Sequence, residues 1–140
     1  MTGDPYNLAR FLEAQTRDYE TAISELRHGQ KRSHWMWYVF PQLIGLGSST
    51  MSTFYAIKSV DEARAYLAHP VLGGRLRESV HAVLDLEGRT AHDIFGSPDD
   101  MKLRSCATLF AHISPAGSIF SSLIDRYFGG EPDERTLRLL

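Results

Sequence analysis

Apolar residues recur at three- and four-residue steps along most of the chain, which is the spacing of one face of an α-helix. The pattern is longest near the N-terminus, where Asp4-Pro5 is typical of a helix start and Gly29 of a helix end. The members of this first stripe are Leu8, Phe11, Leu12, Gln15, Tyr19, Ala22, Ile23 and Leu26. No segment alternates between apolar and polar residues over a convincing length. The sequence therefore predicts an all-α protein with one long N-terminal helix.

Several later segments show the same helical spacing, each preceded by residues that favour a helix start. Two starts have a serine or threonine followed three positions later by an acidic residue, at Ser59-Val60-Asp61-Glu62 and Thr90-Ala91-His92-Asp93. The other starts contain proline, namely Pro70, Ser97-Pro98, Ser114-Pro115 and Pro132-Asp133. Residues 51–57 fit either a short helix or an extended piece, and we favour the helix. We expect a single compact domain over residues 1–140, built from roughly six to eight helices.

The composition is that of an ordinary globular domain. Apolar residues make up 43% of the 140 residues and charged residues 23%, which argues against disorder. The formal net charge of −2 and the lack of a basic stripe argue against nucleic-acid binding. No apolar run approaches the roughly twenty residues that span a bilayer, and a single cysteine fits a reducing compartment. We therefore expect a soluble cytoplasmic protein that binds neither nucleic acid nor membrane, while its oligomeric state is not determined by the sequence.

The sequence lacks the common metal, cofactor and nucleophile motifs. The six histidines are scattered and no cysteine pair is present, which argues against a zinc site. There is no glycine-rich phosphate loop and no Gly-x-Ser-x-Gly motif. Cys106 falls on the apolar face of its helix, which indicates a buried, inert thiol. Several carboxylates have helix-capping positions, and Glu25 lies off the apolar stripe, where we expect it to be solvated. The sequence therefore predicts no metal and no cofactor.

One segment, Lys31 to Gln42, which we call the central segment, contains an unusual set of side chains: two cations, both tryptophans, a histidine and an amide. If Ser33 caps a helix over residues 34–40, the amides of its first turn lie beside Lys31 and Arg32, which favours an anion site. Trp35 and Trp37 are two positions apart and therefore about 200° apart around a helix. One indole would then pack in the core and the other would line a groove. The alternative is that the whole segment is core, with both cations in a solvated loop.

A second polar group lies on a later helix. Lys102, Ser105 and Thr108 advance in steps of three beside the apolar stripe. They complete a pocket if this row faces the central segment, and otherwise they are ordinary surface residues. Gln15, on the stripe of the first helix, either ties two helices together or faces the same pocket, because a buried amide needs hydrogen-bond partners.

Several exact runs of residues resemble the bacterial domain of unknown function family 1810. The runs are Asp4-Pro5-Tyr6-Asn7-Leu8, Phe11, Ala14-Gln15, Ser33-His34-Trp35-Met36-Trp37, Phe40-Pro41-Gln42, Gly45-Leu46-Gly47, Tyr55-Ala56-Ile57, Ala65-Tyr66-Leu67, His69-Pro70, Leu72-Gly73, Ile94-Phe95-Gly96 and Lys102-Leu103. The similarity extends over nearly the whole chain. Where the family commonly has Ser-Met-Thr-Leu-Phe, this chain reads Cys106-Ala107-Thr108-Leu109-Phe110.

The resemblance implies a compact, all-helical single domain and says little about activity. Some members of the family carry the name calpastatin. A calpain inhibitor is expected to be a largely disordered chain of polar repeats, whereas this sequence is rich in core residues. A remoter similarity, by analogy only, is to small helical proteins that act on ADP-ribose derivatives and related N-glycosides.

Our first functional hypothesis is a pocket that binds an anionic, nucleotide-like small molecule. In one version of this hypothesis the protein also cleaves an N-glycosidic bond of that ligand. Lys31 and Arg32 would hold phosphate, and Trp35 or Trp37 would stack on the base or ribose. The orienting polar groups would be Gln15, Gln42, Lys102, Ser105 and Thr108. An oxocarbenium-like transition state needs a carboxylate, for which we choose Asp100, with His34 as the proton donor. The sequence leaves open whether the protein is an enzyme or only binds the ligand.

The second hypothesis is a protein–protein interaction module. In it, the exposed members of Trp35, Trp37, Tyr38 and Phe40 form an aromatic anchor patch for a partner protein.

Overall fold

The computed structural model describes residues 3–140, and helices joined by short loops account for most of them. The helices are α1 (Ala9–Arg27), α2 (Met36–Val39), α3 (Thr50–Phe54), α4 (Val60–Ala68), α5 (Leu72–Leu84), α6 (Ala91–Phe95), α7 (Asp99–His112), α8 (Ile119–Phe128) and α9 (Glu134–Leu139). Within this described part there is no β-strand, only an isolated parallel bridge between Leu43 and Ile57. The all-α class, the single compact domain and the long N-terminal helix are confirmed. Residues 3–140 contain nine helices rather than the expected six to eight, and four of them, α2, α3, α6 and α9, have only four to six residues each.

Helix α5 lies at the centre of the packing, in contact with α1, α4 and α8, while α7 packs against α8, α6 and α9. The core between them is built from large side chains that are fully buried, including Phe11, Phe40, Tyr66 and Phe110. Each of these stabilises the fold by about 1.5–3 kcal/mol relative to an exposed position. The ring of Phe11 meets that of Tyr66 edge-on, with the centroids 5.0 Å apart. Cys106 belongs to this core, and burial raises the pKa of its thiol well above the ordinary value, as expected for an inert cysteine.

The start of α1 differs from the sequence-based expectation. The helix begins at Ala9, four residues after the predicted Pro5. Asp4 still acts as a cap, because its carboxylate accepts hydrogen bonds from the backbone N–H groups of Leu8, at 2.7 Å, and Ala9, at 2.9 Å. The intervening Asn7 has a φ of 53°, in the left-handed region, which interrupts the helix between the cap and its first turn.

Of two other predicted starts, one is confirmed and one is displaced. At Thr90 the capping box is confirmed: the hydroxyl accepts from the N–H of Asp93, and the carboxylate of Asp93 accepts from the N–H of Thr90. Helix α8, predicted to begin at Ser114-Pro115, instead begins at Ile119 with Ser118 as its cap. None of the helices in residues 3–140 has both the length and the apolar character needed to cross a bilayer.

A buried arginine joins α1 to the middle of the chain. Arg10 is only 4% exposed, and its guanidinium donates to five oxygens, which uses every one of its N–H groups. The acceptors are the carbonyl oxygens of Tyr6, Asn7, Phe54 and Ala56, at 2.7–2.9 Å, and the Oε2 of Glu62 at 2.5 Å. The sequence assigned Glu62 to a capping box at Ser59. The Ser59 hydroxyl does accept a hydrogen bond from the N–H of Glu62. The Glu62 carboxylate, however, accepts from Arg10 and from the N–H of Lys58 rather than from the N–H of Ser59.

We predict that Arg10→Met lowers the free energy of unfolding by about 3–5 kcal/mol, because it leaves the buried Glu62 carboxylate without its counter-ion. Urea unfolding of the native and variant proteins measures the difference. Arg64→Met is the matched control, since Arg64 pairs with Asp61 on the surface at 3.8 Å and such pairs contribute about 0–1 kcal/mol. Equal effects of the two substitutions would contradict the role assigned to Arg10.

Candidate functional site

Two lysines from distant parts of the chain meet at one carboxylate. The Nζ of Lys31 lies 2.8 Å from the Oδ2 of Asp99, and the Nζ of Lys102 lies 3.0 Å from its Oδ1. Partial burial raises the pKa of Asp99, but the two ammonium groups outweigh that effect and hold the pKa below its ordinary value. The carboxylate therefore stays ionised, and two cations against one anion leave a net positive charge.

Trp37 completes this group as the half-buried member with an aromatic surface. The Nζ of Lys102 lies 4.0 Å from the centre of the Trp37 ring, which is a close cation–π contact. We call Lys31, Trp37, Asp99 and Lys102 the lysine–indole cluster. The sequence-based hypothesis that the central segment and the row containing Lys102 face each other is correct for Lys102.

Backbone contacts explain why the cluster forms. The N–H of Lys31 donates to the carbonyl of Ile94 at 2.7 Å, which holds the central segment against α6. Gly96 ends α6 and α7 begins at Asp99, so the carboxylate of Asp99 follows closely after this attachment. Lys102 lies one helical turn later, three positions from Asp99, where side chains on a helix meet.

Glu25 organises the start of the central segment. Its Oε1 accepts from the backbone N–H groups of Arg32, at 2.8 Å, and Ser33, at 2.9 Å, and from the indole N–H of Trp35 at 2.9 Å. Its Oε2 accepts from the hydroxyl of Ser33 at 2.5 Å. Partial burial raises the pKa of Glu25, but these four hydrogen bonds outweigh it and lower the pKa to about 2. The expectation of a solvated Glu25 is therefore wrong.

The predicted anion site at a helix cap does not form as proposed. Helix α2 begins at Met36 rather than at His34, and Ser33 is not its cap. The backbone N–H groups of Arg32 and Ser33, just before the expected first turn, already donate to the carboxylate of Glu25. Arg32 is exposed, and the one hydrogen bond that its guanidinium donates within residues 3–140 goes to Gln30, at 3.3 Å. His34 is exposed on the same loop. Neither side chain joins the lysine–indole cluster through a hydrogen bond.

The structure distinguishes the two tryptophans. Trp35 is 1% exposed and packs near Phe40, with the ring centroids 6.3 Å apart, so it cannot stack on a ligand. Trp37 remains partly at the surface. The spacing of the two tryptophans predicts this difference, with one indole in the core and the other outside it. Tyr38 and Phe40 are buried as well. The aromatic patch required by the interaction-module hypothesis is therefore inside the protein, apart from Trp37.

The other predicted polar residues have structural roles. Gln15, 2% exposed, donates to the carbonyl of Tyr38 at 2.7 Å and to the hydroxyl of Tyr66 at 3.1 Å, so it ties helices together. Thr108 accepts from the N–H of Asp133 at 2.8 Å and holds the start of α9. Ser105 donates to the carbonyl of Met101, one turn earlier on its own helix. None of these four hydrogen bonds reaches the lysine–indole cluster.

Asp100, chosen from sequence as the catalytic carboxylate, faces away from the lysines. Its Oδ1 accepts from the N–H of Met101, and its Oδ2 lies 3.8 Å from the Nδ1 of His92. The carboxylate at the cluster is the preceding residue, Asp99. Both residues occupy the first turn of α7, so a sequence pattern that identifies the turn does not identify which carboxylate faces inward.

Gln42 lies beside the cluster in a narrow cavity of about 10 Å³. The lining residues are Trp37, Gln42, Leu43, Gly45, Leu46, Gly47, Ser52, Tyr55 and Ala56. The Nε2 of Gln42 is buried, and within residues 3–140 it has no hydrogen-bond partner. Of the predicted site residues, Lys31, Trp37 and Lys102 thus belong to the cluster, and Gln42 adjoins it through the cavity that it shares with Trp37.

A larger cavity, which no sequence pattern predicted, lies among α7, α8 and the segment before α9. It has a volume of about 320 Å³ and includes the side chains of His112, Ser121 and Asp125. In the described residues no hydrogen bond joins these three, and the hydroxyl of Ser121 pairs with that of Ser118. The arrangement is therefore not that of a nucleophilic triad. Residues 3–140 also contain no cluster of three or more histidine, cysteine or acidic side chains that could hold a metal ion.

The family profile described as "Protein of unknown function (DUF1810)" matches residues 5–140. The chain belongs to the DUF1810 family. The resemblance inferred from the sequence is thereby confirmed. A crystal structure of the conserved hypothetical protein Rv1873 from Mycobacterium tuberculosis is similar over 98% of each chain, at 50% identity and a TM-score of 0.96. No curated protein matches the chain.

The pKa of Glu25 leads to a prediction about pH for this DUF1810 protein. Because the folded pKa of about 2 lies below the ordinary 4.5, the ionised carboxylate stabilises the fold above about pH 4.5. That contribution is lost as the pH falls towards the folded pKa. Glu25→Gln should therefore be less stable than the native protein at neutral pH, with the difference shrinking below about pH 4.5.

Urea unfolding at a series of pH values measures this difference. Glu20→Gln, at an exposed position on the same helix, is the matched control and should show little difference at any pH. A deficit for Glu25→Gln that stayed constant from neutral to acidic pH would show that the charge of Glu25 is not what holds the central segment.

Proposed function

We propose that this DUF1810 protein binds an anionic, nucleotide-like small molecule, of the class of ADP-ribose and related N-glycosides, at the lysine–indole cluster. The observation that carries the proposal is the meeting of Lys31 and Lys102 at Asp99, with Lys102 over a partly exposed indole. Cations beside an aromatic face suit a ligand that has both phosphate and a flat ring.

Charge supports the phosphate part of the proposal. The side chains of Lys31 and Lys102 are 8% and 21% exposed, so salt screens them less than it screens fully exposed lysines. One carboxylate leaves the pair with a surplus positive charge. A phosphate at the mouth of the cluster would gain charge-assisted hydrogen bonds from the ammonium groups.

The indole supports the ring part. Stacking of a base on an aromatic side chain contributes about 1–3 kcal/mol. Lys102 lies over the Trp37 ring in the structure, and its flexible side chain can turn from the ring to a ligand phosphate. Phosphate binding would then uncover the surface on which the base stacks, so the two parts of the ligand reinforce each other. The lone, buried Cys106 is consistent with action in the cytoplasm.

A thermal-shift panel of ADP-ribose, NAD, nucleoside monophosphates and sugar phosphates tests the binding. A ligand present at a hundred times its Kd stabilises the fold by about 2.7 kcal/mol, which raises the Tm by several degrees. Trp37→Leu and Lys102→Met should abolish the shift. Lys58→Met is the matched control, because Lys58 is an exposed lysine outside the cluster. No shift with any compound, or equal shifts in all three variants, would refute the proposal.

Hydrolysis of the N-glycosidic bond is a second candidate, favoured by the ionised Asp99 in place of the Asp100 chosen from sequence. A carboxylate held in the charged form stabilises positive charge that develops on the sugar as the bond breaks. The same carboxylate repels a ligand phosphate from the lysines, and this gives Asp99 two opposing effects on binding and turnover.

We predict that Asp99→Asn increases the affinity for the anionic ligand and abolishes its hydrolysis. The affinity should rise on the order of fivefold, which corresponds to about 1 kcal/mol for removing one nearby like charge. Calorimetric titration gives the affinity and chromatography of the released base gives the turnover. Undiminished turnover in Asp99→Asn would remove Asp99 from the reaction while leaving the binding proposal intact.

A further inference from the structure

The unpartnered amide of Gln42 is the starting point, and the inference drawn from it rests on the proposed binding at the lysine–indole cluster. Gln42 is 8% exposed, and its Nε2 is buried without a hydrogen-bond partner among residues 3–140. Buried polar groups in folded proteins are nearly always paired, since an unpaired donor loses its hydration without compensation. A group that is an exception needs an acceptor from outside the chain.

The cavity at Gln42 limits what that acceptor is. Its volume of about 10 Å³ is close to the minimum for a single water molecule. It therefore admits one oxygen atom, and it is too small for a phosphate group or a base. The acceptor is then a single projecting atom, either a water oxygen or an oxygen on the edge of a ligand.

The loop that walls the cavity is closely packed. A side chain at Gly47 would place its Cβ 2.9 Å from the Cβ and Oγ of Ser52, so the loop already lies against α3. The Ser52 hydroxyl donates to the carbonyl of Ser49 at 2.9 Å. The loop therefore leaves no room for a side chain at Gly47, and the hydroxyl proton of Ser52 is already used.

Trp37 connects this cavity to the cluster, because it lines the cavity and also contacts Lys102. A flat ring stacked on Trp37 would lie with an edge towards the cavity. An exocyclic carbonyl oxygen on that edge fits both the size of the cavity and the donor at its wall. An exocyclic amino group on that edge presents a donor to the Nε2 donor and is therefore disfavoured at this position.

We infer that Gln42 determines specificity by donating a hydrogen bond from its Nε2 to an exocyclic carbonyl oxygen of the ligand's ring. Among nucleotide-like ligands this favours a base with an oxo group at that edge over one with an amino group, so ADP-ribose itself should bind more weakly than a nucleotide with an oxo base. Gln42 is a binding residue in this assignment and takes no part in bond cleavage.

Two nucleotides that differ in this one oxygen provide the test. Inosine 5′-monophosphate carries a 6-oxo group, and purine riboside 5′-monophosphate has hydrogen at the same position. By calorimetric titration, the native protein should bind the inosine nucleotide at least about tenfold more tightly. Gln42→Met should remove the preference, while the exposed Gln30→Met, a matched control, should keep it.

The possible outcomes separate this inference from the proposed function. If both nucleotides bind the native protein equally, the role of Gln42 is refuted and the binding proposal stands. If neither nucleotide binds, the role of Gln42 is refuted, and the thermal-shift panel decides the binding proposal separately. A crystal of the native protein with the inosine nucleotide gives a direct second measurement. A ligand oxygen within about 3.2 Å of Nε2 supports the inference, and a water retained there overturns it.

Discussion

The buried guanidinium of Arg10 is the contact on which the arrangement of the first half of the chain depends. A buried cation is tolerated only if it is paired and hydrogen-bonded, and its five N–H groups find acceptors in the segment before α1, in residues 54–56 and in α4. The same helix positions two further segments through polar side chains, since Gln15 binds the backbone of Tyr38 and Glu25 binds residues 32–35. Helix α1 thus fixes the central segment near both of its ends. These contacts determine where Lys31 and Trp37 of the lysine–indole cluster lie.

The protein's own carboxylates already satisfy much of the positive and hydrogen-bonding surface of the central segment. Glu25 takes the backbone amides and the Trp35 indole N–H, and Asp99 takes both lysines. The carboxylates of Glu25 and Asp99 differ in how much positive charge remains unneutralised around them. Glu25 is surrounded by donors from one loop and serves folding, whereas Asp99 neutralises only one of two cations beside a partly exposed ring. The unneutralised positive charge beside Lys102 and Trp37 can therefore attract an anion from outside the protein.

The helices and part of the site could be predicted from regular sequence patterns, because these features depend on residues that are close together along the chain. The stripe of α1, the Thr90 capping box and the separation of the two indoles all follow from local spacing. Arg10, Glu25 and Asp99 were missed for the opposite reason. A charged residue off an apolar stripe is normally solvated, and only the tertiary fold shows that a distant segment supplies its partners. The sequence pattern also did not distinguish Asp99 from Asp100. It identifies the first turn of α7, but adjacent residues in one helical turn face different directions.

Gln42 is informative because the rest of this interior is so well paired. Arg10 has five acceptors for five N–H groups, Gln15 has partners for its amide nitrogen and oxygen, and Thr108 both donates and accepts. Among the buried side-chain nitrogen and oxygen atoms of residues 3–140, the Nε2 of Gln42 stands alone in lacking a partner. A fold that pairs its buried polar groups this consistently leaves a donor free where something outside the chain completes it. The position of that donor, next to the partly exposed indole, is what links the packing of the core to the proposed recognition of a ligand.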